Sequence, residues 1–286
     1  MEQLTLKAFA KINLCLDITG INSVGYHELD TIMQTVDLYD RVVVRLNDTG
    51  KISVECSDQS ICGSDNIALR AAGLFFKEVN SGQGADIYIE KNIPLCGGLG
   101  GGSADAAAIL NALNILFNKP LSTEKLLSIG LALGADVPFC IVGGTKRCKG
   151  IGQIIEDVPS FDGGCFVLIN CGSKESTKQM YKNIDSTRNL IRPDVDVLVR
   201  GINDNDYDII TDNCKNVFSG CYDLSQIERD ALSCGADVFC LSGSGSYGFA
   251  LLENESKAES CKAQLFKKGY MPIVCKPTTE GFEIIK

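Results

Sequence analysis

One histidine, no tryptophan and seven prolines occur in this chain of 286 residues. The single imidazole, His27, excludes any metal site or proton relay that needs two histidines from one chain, and it leaves most acid–base work to Asp, Glu or Lys. Cysteine is plentiful, at fourteen residues, but no C-x-x-C pair occurs, so neither a zinc ribbon nor a dithiol redox centre is written here. Reduced packing thiols are the expectation. Basic charge is short: 27 Lys and Arg against 36 Asp and Glu give a net charge of −9, without the basic footprint of a nucleic-acid binder. No apolar run is long enough to span a bilayer, and the N-terminus, interrupted by Glu2 and Lys7, does not resemble a signal peptide. A soluble cytoplasmic protein is expected, with small-molecule partners, no nucleic acid and no membrane.

With 45% hydrophobic residues, the length suits one large or two ordinary domains. Residues 6–18, "LKAFAKINLCLDI", place Leu6, Ala8, Ala10, Ile12, Leu14, Leu16 and Ile18 on one strand face, with Lys7, Lys11, Asn13 and Asp17 on the other. Further strands are predicted at 41–46, 51–56 and 85–91, and helices at 66–79, 103–117 and 123–133. The acid-, Pro- and Gly-bearing segment "EDVPSFDGG", 156–164, marks the domain junction. Beyond it the order is strand 165–170, helix 176–184, helix 224–234, strands 237–241 and 247–252, helix 255–267 and strand 270–275. That order resembles a split βαβ sandwich with insertions.

Within "PLCGGLGGGSADAAA", residues 94–108, five glycines (Gly97, Gly98, Gly100, Gly101 and Gly102) precede a run of helix formers, with Ser103 placed to cap the first turn. Glycine loses more conformational freedom on folding than any other residue, so a cluster of them asks for a reason. Free N–H groups at a helix start make an anion site, and phosphate is the anion most often held there. The motif has neither the Lys-Ser/Thr ending of a P-loop nor the dinucleotide spacing. A turn that lets a helix pack closely is the alternative. A second cluster, "LSGSGSYGFA" at 241–250, reads alone as a tight hairpin.

Three other places carry chemistry. Lys11 and Asn13, two residues apart on a strand, point the same way and can reach one ligand, although a lone strand lysine is ordinarily a solvated charge. Asp136, in "LGADVPF", stands where a helix N-cap belongs; a carboxylate there would also accept a hydroxyl proton if a cation such as Lys11 lay nearby. "GYHEL", 25–29, offers Tyr26 and His27 either as a turn or as a clamp for a flat polar ring. Ser103 and Asp105 are placed to approach a metal ion, but a capping hydroxyl and a first-turn acid explain them equally; no dedicated metal ligand is assigned.

Taken together, "AKINLCLDITG" with "GYHEL", "PLCGGLGGGSADAA", "LGADVPF" and "LSGSGS" resemble the GHMP kinase superfamily over nearly the whole chain, in that family's order. The resemblance implies an α+β, two-domain GHMP kinase fold. Its N-terminal domain, 1–158, would be ribosomal-protein-S5-domain-2-like and bind ATP; its C-terminal domain, 159–286, would be ferredoxin-like, with the active site in the cleft between them. It implies ATP with Mg²⁺ as phosphoryl donor and, through "GYH", 4-diphosphocytidyl-2-C-methyl-D-erythritol as acceptor. Homoserine, mevalonate or a related polyol is the rival acceptor class, and a non-catalytic ligand sensor the rival of another kind. By the same resemblance Lys11 and Asp136 are catalytic. Asp65, Asn66, Pro94, Leu95, Cys96, Gly97, Gly98, Leu99, Gly100, Gly101, Gly102 and Ser103 bind nucleotide. Asn13, Tyr26, His27, Thr177, Gly243 and Gly245 bind the acceptor, in a monomer or homodimer. Cys96, Gln153 and Tyr247 depart from the usual pattern.

Overall fold

The computed structural model describes residues 2–61, 63, 66–173, 176–187 and 190–285. A long antiparallel ribbon of β1 (Gln3–Ile21) and β2 (His27–Asn47) is its spine. The stretches predicted at 6–18 and 41–46 are parts of these longer strands. Three register shifts, after Phe9, Asn13 and Ile18, let the ribbon bend without losing its pairing. Those shifts also break the expected two-residue alternation. Lys11 and Asn13, predicted on a polar face, are only 3% and 1% exposed.

β3 (Ile52–Cys56) and β4 (Gly84–Glu90) are parallel neighbours joined through α1 (Ile67–Glu78), and β4 continues the sheet onto β2. The other half of the same β2 edge takes β5 (Thr145–Gly150), which pairs with β6 (Ile154–Asp157). Over this sheet lie α2 (Gly101–Leu116), α3 (Thr123–Leu133) and the short α4 (Val137–Val142). Ala104, Ala106, Ala107, Ala108, Ile109 and Leu110 of α2 are all buried, so apart from the buried Asp105 and Asn114 the helix packs apolar, mostly small side chains where it meets β1, α1 and α4.

After residue 164 a second, four-stranded sheet forms from β7 (Cys165–Asn170), β8 (Val238–Leu241), β9 (Tyr247–Leu252) and β10 (Ile273–Cys275), in the order β10-β7-β9-β8 with every pair antiparallel. With α8 (Ser225–Ser233) before β8 and α9 (Glu255–Lys267) before β10, this is the split βαβ arrangement predicted from the sequence. Ile227, Ala231, Ala258, Cys261 and Leu265 of those helices close one core against the sheet. Between β7 and α8 run α5 (Thr177–Ser186), α6 (Val195–Asp204) and α7 (Tyr207–Asn213). The last strand, β11 (Phe282–Ile285), lies beyond the junction in sequence yet returns to pair with β1 in the first sheet.

Candidate active site

The five glycines have separable reasons. Gly98 has φ +77°, and a Cβ there would stand 2.5 Å from the Ser242 carbonyl oxygen; one at Gly97 would stand 2.8 Å from the Tyr247 ring. These two let the loop lie against the second glycine cluster, where Tyr247 N–H donates to the Gly97 carbonyl at 3.0 Å and the Ser242 hydroxyl to the Gly98 carbonyl at 3.3 Å. Gly100, at φ +73°, makes room for the Lys11 side chain. Gly102 meets nothing nearer than Ile67 at 3.6 Å. Both explanations read from the sequence therefore have their own glycines. Close packing extends as far as Gly101, where a Cβ would stand 3.1 Å from Ile93 Cγ2, and an open approach remains only at Gly102.

Gly100, not Ser103, is the N-cap of α2, and it makes no side-chain capping bond. The helix starts two residues earlier than predicted because a left-handed glycine closes the turn, which leaves Ser103 inside the first turn. First-turn N–H groups have no acceptor within their own helix. Pro94, Leu95, Cys96, Gly97, Gly98, Leu99, Gly100, Gly101, Gly102, Ser103 and Ile67 line a cavity of about 260 Å³ at this helix start. The described end of the predicted nucleotide segment is Asn66, which caps α1 through Oδ1 to Ala68 N–H at 2.8 Å, while Asp65 lies outside the described residues.

Lys11 packs against the loop that lines this cavity, where a Cβ at Gly100 would stand 2.8 Å from its Cγ. Its backbone N–H donates to the Leu99 carbonyl at 2.9 Å, and its Nζ donates to Asn13 Oδ1 at 2.8 Å and stands 3.4 Å from Asp136 Oδ2. Asn13 is fixed in turn, its Nδ2 donating to Thr31 Oγ1 at 2.8 Å and its backbone N–H to the Ser242 hydroxyl at 3.3 Å. Asp136 occupies the N-cap position of α4, as its sequence context predicts, yet its side chain makes no capping bond. The carboxylate is spent on Lys11 and remains 35% exposed, open to a ligand.

Tyr26 stands in the exposed turn between β1 and β2, where its N–H donates to Asn22 Oδ1 at 2.9 Å. His27 turns inward. Its ring stacks on Tyr181 of α5 with centroids 4.7 Å apart and planes at 27°, and its Nε2 bonds Asp185 Oδ1 at 2.8 Å. Burial first, and then the Asp136 charge, pushes the Tyr181 phenol up to about 12. The sequence reading missed Tyr181 and Asp185. Their spacing of four on one helix was the available signal, but nothing local points an α5 face toward a turn more than 150 residues earlier. Thr177 stands exposed at the start of the same helix. Gly243 approaches the Gly98 backbone and Asn13, whereas Gly245 is covered by the Tyr222 hydroxyl.

Two matches extend these local observations to most of the molecule: the GHMP kinases N terminal domain matches residues 66–144, and the GHMP kinases C terminal model matches 188–270. A 4-diphosphocytidyl-2-C-methyl-D-erythritol kinase of Clostridium beijerinckii is 39% identical over 269 residues, covering 92% of this chain and 96% of its own. One from Acetivibrio thermocellus is 40% identical over 264 residues, covering 90% and 93%. The chain belongs to the 4-diphosphocytidyl-2-C-methyl-D-erythritol kinase family of the GHMP kinases. Among solved structures, one described as 4-(cytidine 5'-diphospho)-2C-methyl-D-erythritol kinase has TM-score 0.78 at 26% identity, covering 96% of this chain and 99% of that one. A homoserine kinase from Cytophaga hutchinsonii has TM-score 0.79 at 20% identity, which is a likeness of fold alone.

In this GHMP kinase Asp105 does not face the cleft. It is buried with Oδ2 at 2.6 Å from Lys91 Nζ, and Lys91 also bonds Asp40. Burial pushes the Asp105 carboxyl up to about 7 against the pull of Lys91. Asp105 Oδ1 has no hydrogen-bond partner among the described residues. The carboxylate proposed from sequence as near a metal is thus committed to an ion pair beneath the loop.

Proposed function

We propose that this kinase moves the γ-phosphoryl group of ATP onto the 2-hydroxyl of 4-diphosphocytidyl-2-C-methyl-D-erythritol, in the non-mevalonate route to isoprenoid precursors. The observation that carries the chemistry is the Lys11–Asp136 pair, with Lys11 packed against the glycine loop. The family of the chain carries the acceptor. The chain divides at 158/159 into an ATP-binding N-terminal domain and a C-terminal domain, with the acceptor held in the cleft between them and the Ser242–Tyr247 loop of the second laid on the glycine loop of the first.

Phosphoryl transfer asks the protein for alignment and charge stabilisation more than for covalent help. The first-turn N–H groups of α2 and the glycine loop hold the phosphate oxygens. Asp136 takes the proton of the acceptor hydroxyl as its oxygen bonds to phosphorus and the bond to the ADP oxygen breaks. Lys11 sits beside both events: it offsets charge on the transferred group and, held by Asn13, keeps the Asp136 carboxylate in place. Tyr26, His27 and Tyr181 receive the cytosine ring.

Mg²⁺ would accompany the nucleotide, and Ser103, which lines the cavity, is the loop hydroxyl available to it. Bound there, it would neutralise phosphate charge. Incubation with ATP, Mg²⁺ and the cytidyl acceptor, followed by phosphorus NMR, is the test. One new phosphate monoester on the 2-hydroxyl per ADP formed is expected; ADP without that ester would overturn the proposal.

A further inference from the structure

The chain's only imidazole is gripped at one nitrogen by a carboxylate that phosphoryl transfer does not use. Asp185 lies in the last turn of α5, four residues after Tyr181, so one helix face supplies both a platform under the His27 ring and a contact at its edge. The His27 side chain is 14% exposed while that of Asp185 is 50% exposed. The imidazole is therefore enclosed by a partner that remains reachable from solvent. An ionised carboxylate can only accept, so the hydrogen of this bond belongs to Nε2. A neutral ring that donates from Nε2 keeps its lone pair on Nδ1.

We propose that Asp185 is a positioning residue that fixes His27 as the Nε2–H tautomer, making Nδ1 an acceptor that selects cytosine over uracil in the acceptor substrate. This rests on the acceptor proposed above and adds the group that enforces its base. Cytosine carries an exocyclic amine where uracil carries a carbonyl oxygen, a donor in place of an acceptor on otherwise similar rings. The amine pairs with the Nδ1 lone pair; the uracil oxygen would set lone pair against lone pair and leave both groups unsatisfied. Stacking on tyrosine accepts either ring equally, so discrimination must come from the edge that Asp185 controls.

The test compares kcat/KM for the cytidyl acceptor and its uridyl counterpart at about pH 8, in the parent enzyme, Asp185→Ala and Asp185→Asn. In Asp185→Ala the cytidyl-to-uridyl ratio is expected to fall about tenfold, through KM for the cytidyl acceptor rather than kcat, as loss of one oriented hydrogen bond implies. Asp185→Asn, whose amide oxygen still accepts from Nε2–H, should restore most of the ratio. The single histidine allows a direct spectroscopic check: in ¹⁵N-labelled protein Nε2 should carry the hydrogen and Nδ1 should not. An unchanged ratio in Asp185→Ala, an equal loss on both acceptors, or a protonated Nδ1 in the neutral ring would overturn the role of Asp185 alone. A parent enzyme that does not distinguish the two acceptors would overturn the acceptor assignment, and this proposal with it.

Discussion

Asp136 shows how a residue's position and its use can differ. Its context, Gly134 before and Pro138 after, reads as a helix cap, and it does occupy that position; only the fold brings the Lys11 ammonium to 3.4 Å and takes the side chain away from capping. Replacing it with Asn keeps the shape and removes the base. Asp136→Asn should lose about 10²- to 10⁴-fold in turnover, the range for a positioned general base, with ATP affinity retained by equilibrium binding. Near-normal turnover would remove Asp136 from that role. Cys96 offers a second test at this scale. It is the one exposed cysteine among the described residues and it lines the cavity with φ +57°. Saturating ATP should slow its alkylation, read by peptide mass spectrometry, while the acceptor alone leaves the rate unchanged; labelling indifferent to ATP would place the nucleotide elsewhere. The candidates Lys11, Asn13, Asp136 and the glycines were legible as residue types. The burial of Lys11 was not, because it depends on strand bulges and on a loop from another part of the chain.

At the scale of elements, the glycine loop and α2 act as one piece. Gly98→Ala forces a side chain into the left-handed region and against the Ser242 carbonyl, so a loss of about 1–3 kcal/mol in stability and a raised KM for ATP are expected. Gly102→Ala meets ordinary contact at 3.6 Å and should change stability by less than about 0.5 kcal/mol. Equal destabilisation by the two would contradict the separation of roles. Asp105 gives α2 a pH signature. Its folded carboxyl, raised by burial to about 7 from an ordinary 3.8, holds a proton that the unfolded chain releases earlier. Between about pH 4 and 7 the native state therefore binds more protons, and stability declines as pH rises through that window. Asp105→Asn should flatten this decline in urea-melt midpoints measured across the window; a parallel profile would show that Asp105 does not titrate there. Strong local patterns revealed α3, β7, β9 and α9 to the residue. The sequence reading passed over α6, although Val195, Leu198 and Ile202 recur at helical spacing, because Asp194, Asp196 and Asp204 give the segment the look of a polar loop. It also passed over β11, whose four residues gain meaning only from pairing with the far end of the chain.

The whole molecule joins its parts beside the residues proposed for the chemistry: Ser242 bonds Asn13 and the glycine loop, and β11 returns to β1. The two-domain α+β plan was legible because motif order identified it, and the order β10-β7-β9-β8 completes the split βαβ sheet that the order of predicted elements suggested. Acceptor choice does not follow from that plan, since a homoserine kinase shares it at TM-score 0.79. In the proposed function, acceptor choice falls to Tyr26 and to the corner where His27 stacks on Tyr181, which makes the acceptor the sharpest point of attack. The most direct measurement is Mg²⁺-dependent ATP turnover with 4-diphosphocytidyl-2-C-methyl-D-erythritol, mevalonate and homoserine in parallel, each as kcat/KM. Turnover of the cytidyl acceptor, with the other two at least about 10³-fold poorer, is the expected result. Comparable or faster phosphorylation of mevalonate or homoserine would leave the fold and the Lys11–Asp136 pair in place and contradict the assignment of that corner.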